Sequence, residues 1–468
     1  MPAEEQVHVL MVSLSLQGHM NPMLKFGKLL ISKGIHVTLA TLEMAKHRML
    51  KNKASPNFEN SSDREIQLEF FSDGLSLDFD RQKDVATWQN SVFTTGSKNF
   101  SNLVSNLSKT HKYSCIIINP FVPWAMDVAD DHGIHCALLW IQCCAIYSIY
   151  YRYFKNIDNF PNLEDPNESV QLPGMPVLEV RDLPSFMLPS SPPIFAEVLL
   201  KLFRDLDKKV NWVLGSSFYE IEEDIVKSMA SLTPIYPIGP LVSPFLLGEK
   251  ENDVVNVDMW NAEDSCLEWL DNKPPSSVIY ISFGSILVLS QKQIDNIAMA
   301  LKNSNKAFLW VIKPAEEGSE GNGGVLRSDF LEETKGNGLV VKWCPQEKVL
   351  MHPAIACFVT HCGWNSTLET LVTGVPVIAH PEWTDQPTNA KLLVNAFKVG
   401  VKINFDEDGT ASTQEMERCI REIMEGPRAA EIKNRARELK EAAKKALEDG
   451  GSSARNINQF ISEIAGKH

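Results

Sequence analysis

Between Trp343 and Gln386 the chain reads WCPQEKVLMHPAIACFVTHCGWNSTLETLVTGVPVIAHPEWTDQ, and its residue types suit a ligand with several distinct parts. Trp343 offers a flat face on which a base can stack, and Gln346 carries both a donor and an acceptor for a base edge. Gly363 allows close approach of backbone, while Asn365 or Ser366 can cap a helix and present side-chain donors to an anion. Glu369, one turn on, can accept hydrogen bonds from two neighbouring ribose hydroxyls. Asp385 and Gln386 place adjacent polar groups where sugar hydroxyls would be bound. Taken singly, Trp343 reads as a core aromatic, His361 as a satisfied strand-end histidine and Glu369 as a solvated helix charge. Together they point to a nucleotide sugar. A second chemical stretch, Gln17-Gly-His-Met-Asn-Pro22, holds His19. An imidazole near its reference pKa of ~6.5 can accept a proton from a phenol, an effect typically worth ~10²–10⁴-fold in rate.

The elements needed to position these groups are legible. Ile355 to Thr360 is a short apolar, β-branched run, expected as a buried strand; a polar turn follows, then helical spacing from Thr367 to Val372, stopped by Gly374 and Pro376. A helix N-terminus after a parallel strand presents free N–H groups and the positive end of a dipole to phosphate. Near the start, His8 to Leu16 reads as a strand, with Asn21 as N-cap and Pro22 as first residue of a helix running to about Ser32; Ile35 to Thr41 is the next strand. This βαβ unit implies a parallel sheet with ligands at the carboxyl ends of its strands, where His19 sits just ahead of the helix. Lys46 to Lys83 reads as irregular, Trp88 to Leu107 as a helix, and Ser114 to Asn119 as a strand. Asn156 to Pro193, rich in Pro, Asn and Asp, is too long for a plain connection and is expected to be a lid on the acceptor side. Val278 to Phe283, Ala307 to Ile312 and Leu339 to Trp343 read as strands of a second unit. The Gly-rich Glu316 to Gly324 reads as a loop. Three helices close the chain, over 412–426, 429–448 and 452–464.

The stretch from Trp343 to Gln386 resembles the signature box of plant family 1 UDP-dependent glycosyltransferases, and QGHMNP matches that family's own motif around its base. The resemblance implies an α/β fold of two facing Rossmann-like domains, the GT-B fold. An acceptor-binding domain would span 1–240, a linker 241–257 and a UDP-sugar-binding domain 258–450, with residues 451–468 crossing back to the first domain. It implies UDP-glucose as donor, with Trp343 on uracil, Gln346 and the Cys344 backbone near the base, and Glu369 on the ribose. His361, Asn365, Ser366 and perforce the turn at Gly363 would bind the diphosphate, aided by Ser285, while Trp364, Asp385 and Gln386 would bind the sugar. His19 would be the base, and direct attack would invert the anomeric carbon. One departure matters: where most of the family has an Asp orienting this His, the matching position is Asn119. A neutral amide can orient an imidazole but stabilises imidazolium less, which costs little if the acceptor is already an anion such as a carboxylate, or is an acidic phenol, giving a β-glucose ester or a β-O-glucoside. The surrounding NPFVPWAMDVAD and Leu139 to Ala145 are similar to members that form glucose esters of hydroxycinnamic and hydroxybenzoic acids, and to some C-glucosyltransferases of aromatic ketones. Phe121, Trp124, Tyr147, Phe186 and Phe195 are expected in an aromatic acceptor pocket, and Gln142 near the sugar. Asp127 reads as an ordinary helix charge.

Composition sets the outer limits. A chain of 468 residues exceeds one ordinary core, and a formal charge of −14 argues against nucleic acid or an anionic membrane as main partner. Nine scattered cysteines with no CxxC pair suit free thiols in a reducing cytosol. Cys357, His361 and Cys362 lack a second ligand pair nearby, so no zinc site is expected, nor any DxD-held metal or redox cofactor. The uncharged run from Gly133 to Tyr151 is expected as a buried strand and helix rather than a membrane span, and MPAEEQ is no signal peptide. A cytoplasmic monomer acting on a nucleotide sugar and a small aromatic acceptor is the expectation. The other classes are a UDP-sugar epimerase, disfavoured by QGHMNP, and a non-catalytic binder, disfavoured by the intact His19 and box.

Overall fold

The computed structural model describes residues 6–51, 65–81, 83–248, 265–284, 287–312, 324–334 and 336–466. In the first half the strands are β1 (His8–Val12), β2 (His36–Leu42), β3 (Gln67–Phe71), β4 (Tyr113–Ile118) and β5 (His135–Trp140). A small antiparallel pair follows, β6 (Ser169–Val170) with β7 (Leu178–Glu179), and then β8 (Trp212–Gly215) and β9 (Ile235–Pro237). Seven of them form a parallel sheet in the order β3-β2-β1-β4-β5-β8-β9. The second half contains β10 (Val278–Ser282), β11 (Ala307–Val311), β12 (Gly338–Val341), β13 (Ile355–Thr360), β14 (Val377–Ala379) and β15 (Gly400–Lys402), a parallel sheet ordered β12-β11-β10-β13-β14-β15. Helices cover both faces, so the central strands are apolar throughout: Val9 to Val12 and Ile116 to Ile118 are wholly buried.

Each sheet reverses its strand order beside its first strand, β1 lying between β2 and β4 and β10 between β11 and β13. In open α/β sheets the crevice at such a switch point, outside the carboxyl ends of the strands, is where ligands bind. The segments leaving β1, β4, β10 and β13 carry His19, Asn119, Gly284 and His361. Topology therefore converges the two chemical stretches of the sequence.

Several boundaries differ from expectation. The first long helix is Gln17–Ser32, entered at Leu16, so His19 lies in its first turn and Pro22 in its interior. Pro22 has no N–H for the carbonyl of Gly18; that carbonyl accepts instead from Asn365 Nδ2 at 3.2 Å, across the cleft. The stretch expected to be irregular holds a helix, Glu43–Lys51, and the edge strand β3, whose half-exposed residues dilute an apolar signal. The helix expected over 88–107 is Val85–Ser91, a π-helical turn Val92–Gly96, and Ser97–Leu107, its start capped by Asp84 Oδ1 accepting from Thr87 N–H. β12 ends at Val341, so Trp343 stands beyond the strand. The helix after β13 runs Trp364–Thr373 with Gly363 at its N-cap, which leaves the Asn365 and Ser366 side chains free of capping duty. The glycine-rich loop as far as 323, linker residues 249–257 and Ser285 lie outside the described residues.

The last helix, Ser452–Ile464, packs on the first sheet: the Phe460 ring lies 5.5 Å from Trp212 and 6.3 Å from Phe26, and Asn456 Nδ2 donates to the Pro237 carbonyl at 2.7 Å. All nine cysteines are buried, and none is in a disulfide. Among the described residues no helix is long and apolar enough to cross a membrane, and no three His, Cys, Asp or Glu side chains group as metal ligands.

Candidate active site

A cavity of about 520 Å³ lies between the carboxyl ends of the two sheets. It is lined from both halves by His19, Phe121, Gln142, Phe186, Phe195, Trp343, Cys344, Gln346, His361, Gly363, Trp364, Asn365, Ser366, Glu369, Asp385 and Gln386.

On the side of the second sheet, β13 ends in a tight turn with Cys362 at φ 65°, and His361 sits where two glycines meet. A Cβ on Gly284, itself at φ 74°, would come within 2.7 Å of the imidazole, and one on Gly363 within 2.5 Å. Side chains at either position would displace the ring, so those glycines are what admit it. The ten-residue helix Trp364–Thr373 then directs its free N–H groups into the cavity. Trp364 is buried, its Nε1–H donating to Ser216 Oγ of the first half at 3.1 Å. Trp343 is half-buried on the wall. The Cys344 Sγ meets Tyr280 Oη at 3.3 Å, and both residues line the cavity.

Gln346 and Glu369 form a fixed pair. Gln346 Nε2 donates to Glu369 Oε2 at 2.7 Å and to Ser366 Oγ at 3.0 Å, while its Oε1 accepts from Tyr280 Oη–H at 3.0 Å. Burial pushes the Glu369 carboxyl above its usual range; Lys25, on the first half, acts against that shift. Burial likewise raises Asp385. Asp385 accepts from Thr384 Oγ1–H at 2.8 Å and Asn389 Nδ2–H at 2.7 Å, and from the Gln142 side chain of the opposite half. Gln386 Oε1 accepts from the backbone N–H of Glu382 at 3.0 Å and of Trp383 at 3.2 Å, which braces the loop around Thr384, a residue at φ 60°.

On the side of the first sheet, His19 Nδ1 lies 3.1 Å from Asn119 Oδ1, which also accepts from Phe121 N–H at 3.1 Å. With two donors converging on the amide oxygen, His19 carries its proton on Nδ1 and presents a bare Nε2. Burial pulls the imidazole down to about 4, against the opposing effect of the Asn119 hydrogen bond. Asn119 is itself fully buried behind His19, and its Nδ2 has no partner among the described residues. The His19 ring lies 4.8 Å from Phe121, and Phe186 stacks on Phe195 at 4.5 Å.

Two residues expected in the acceptor wall lie elsewhere. Trp124 packs edge-on against Phe71 and Phe100, and Tyr147 sits among Trp140, Tyr151 and Phe203; both are core, because their helices turn those faces toward the sheet. Asp127 is held by Lys201 at 2.7 Å and Lys209 at 2.8 Å, away from the cavity. The wall includes residues the sequence did not flag: Trp88, Val92 and Phe93 from the π-interrupted helix, and Trp383, whose ring lies 6.1 Å from Phe186. Trp88 to Phe93 fall inside a stretch expected as one helix, whose inward face periodicity alone does not distinguish.

Comparison with known proteins agrees with this geometry. Residues 261–437 match the family described as UDP-glucoronosyl and UDP-glucosyl transferase. UDP-glycosyltransferase 84B1 of Arabidopsis thaliana is 49% identical over 98% of this chain and 98% of its own. This chain belongs to that family. It is therefore a UDP-glucose-dependent glycosyltransferase. Gallate 1-beta-glucosyltransferase of Quercus robur is 41% identical to this glycosyltransferase over 99% of its length and 91% of the relative's. The crystal structure of Os79 from O. sativa in complex with UDP superposes with a TM-score of 0.85 at 31% identity, covering 97% of this chain and 100% of that one. The two facing parallel sheets are thus the GT-B arrangement, and the donor is a UDP-sugar.

Proposed function

We propose that the enzyme transfers glucose from UDP-glucose, with inversion, to the carboxylate of a small aromatic acid, giving a β-glucose ester. The observation that carries this reading is the partner of His19: an uncharged amide at 3.1 Å, with the imidazole held down to about 4. A base that weak is far from matched to a phenol of pKa ~10. A carboxylate is already ionised at neutral pH and requires no proton removal, so its attack places no demand on the basicity of His19. The relative that acts on gallate supports the same acceptor class.

In this reading Trp343 stacks on the uracil and Glu369 holds the ribose. His361, Asn365 and Ser366, with the N-terminus of the helix Trp364–Thr373, meet the diphosphate, and Trp364, Asp385 and Gln386 hold the glucose. A carboxylate oxygen attacks C1 from the face opposite the diphosphate; the C1–O bond to UDP breaks, and the pair of electrons leaves on the β-phosphate. The fixed N–H groups and imidazole stabilise that charge where it develops. Phe121, Phe186, Phe195 and Trp383 hold the acceptor ring, and Gln142 reaches the sugar through Asp385. Residues 1–240 supply the acceptor side and 258–450 the donor side, in a monomer.

Incubation with UDP-glucose and a panel of phenolic acids, phenols and aromatic ketones, with each product read by mass and by alkali treatment, tests this. Alkali-labile products from carboxylic acids are expected. Products stable to alkali and acid would replace the reading with C–C bond formation, and UDP-glucose binding without transfer would leave only a binder.

A further inference from the structure

Behind Glu369, outside the cavity lining, lies a cation that the reading above does not use. Lys25, on the helix Gln17–Ser32 of the first half, places Nζ 3.7 Å from Glu369 Oε1 and 3.4 Å from Glu347 Oε1, both on the second half. Its side chain is only 9% exposed, and the two carboxylates are each 11% exposed. The second oxygen of Glu347 accepts from Ser243 Oγ–H, where the chain leaves the first half. The free face of Glu369 is turned to the cavity while Gln346 holds its Oε2.

We propose that Lys25 is a positioning residue for the nucleotide: from the opposite half it holds Glu369 in the place and orientation needed to accept the two ribose hydroxyls. This rests on the ribose assignment of Glu369. Two buried carboxylates side by side repel one another, and one of them would protonate or swing away without a cation between them. The groups facing Glu369 are Lys25 from the first half, Glu347 and Gln346 from the neighbouring helix, and Tyr280 from β10. Among the described residues facing Glu369, Lys25 is the cation, and it supplies the compensating charge. A carboxylate that protonates loses half its capacity to accept from a diol, and donor affinity falls with it.

Steady-state kinetics on the full chain test this with Lys25→Met and, in parallel, the polar Lys25→Gln. The KM for UDP-glucose is expected to rise roughly 10-fold, with kcat and the acceptor KM within about twofold. The rise should begin at higher pH than in the native enzyme, because Glu369 without Lys25 protonates sooner. Lys25→Arg should recover most of the affinity. Glu347→Gln added to Lys25→Met should recover part of it by removing the facing carboxylate, which a role in packing alone would not produce. An unchanged donor KM and pH profile in both Lys25 variants, beside a raised KM in Glu369→Gln, would overturn the proposal alone. An unchanged KM in Glu369→Gln would overturn the ribose assignment and the proposal with it.

Discussion

The Nδ1 of His19 meets an amide oxygen at 3.1 Å, and Asn119→Asp would put a carboxylate in its place. A carboxylate there stabilises imidazolium, so the His19 pKa should climb from about 4 toward neutrality. A stronger base serves only an acceptor that has a proton to lose. The variant should therefore gain on the order of 10-fold in kcat/KM toward phenols and change by less than about threefold toward aromatic carboxylates. The acidic limb of the phenol profile should move upward, because the base is now protonated at higher pH. An unchanged ratio of phenol to carboxylate turnover would show that the residue at 119 does not select the acceptor. Asn119 could be singled out from sequence only through the resemblance, which puts it where most of the family has an Asp. The depth of the His19 shift could not, because its burial depends on walls contributed by segments far apart in sequence.

At the scale of elements, the loop expected to be a lid is fastened to the opposite half by buried charge. Asp182 is 2% exposed and lies 2.9 Å from Lys391 Nζ and 2.7 Å from Lys402 Nζ. Three residues on, Ser185 and Thr384 exchange hydrogen bonds, Ser185 N–H to Thr384 O and Thr384 N–H to Ser185 Oγ, each at 2.8 Å. The loop that carries Phe186 is thus attached to the loop that carries Asp385, so acceptor wall and sugar site move together. Burial alone would raise the Asp182 carboxyl, but Lys402 and Lys391 prevail and hold it below the usual range. Asp182→Asn leaves two ammonium groups without a counter-charge. It should cost about 2–3 kcal/mol in denaturant unfolding, below the ~3–5 of a fully enclosed pair because both lysines keep some water. Since the folded pKa is depressed, that contribution is present above about pH 4 and lost as pH falls through the folded value, so the two proteins should converge in acid. A gap that persists at low pH would mean that the amide disturbs packing instead. Such a clasp is invisible in sequence: Asp182 sits in a Pro-rich run, and its lysines lie more than 200 positions away. What sequence does report at this scale is the set of central strands, whose apolar runs are bounded by turns. The edge strand β3 and the π-helical turn escaped because one is half-polar and the other keeps near-helical spacing.

For the whole molecule, the parallel sheets, the cleft and most of the cavity wall on the second half were legible because one contiguous stretch carries strand, turn and helix together. The groups that join the two halves were not, since Lys25, Ser216 and Gly18 acquire meaning only once the halves face each other. Two kinds of fastening result. The seam at the cleft is polar, made by Trp364 to Ser216, Asn365 to the Gly18 carbonyl, and the Lys25 and Asp182 clusters. The anchor at the far side centres on an apolar contact of the last helix, where Phe460 is 2% exposed between Trp212 and Phe26. If catalytic geometry is set by the seam and overall stability by the anchor, the two can be separated. Phe460→Ala should lower the unfolding free energy by roughly 3–5 kcal/mol, the usual cost of emptying a buried phenylalanine site. Below the melting range, kcat/KM for UDP-glucose should stay within about twofold, because no seam contact is touched. Saturating UDP, held by the second half in the reading above, should restore part of the loss, about 2.7 kcal/mol at 100 times its Kd. Activity that falls in step with stability would place control of the cleft in the last helix instead, and the polar seam would then follow the anchor rather than set the geometry.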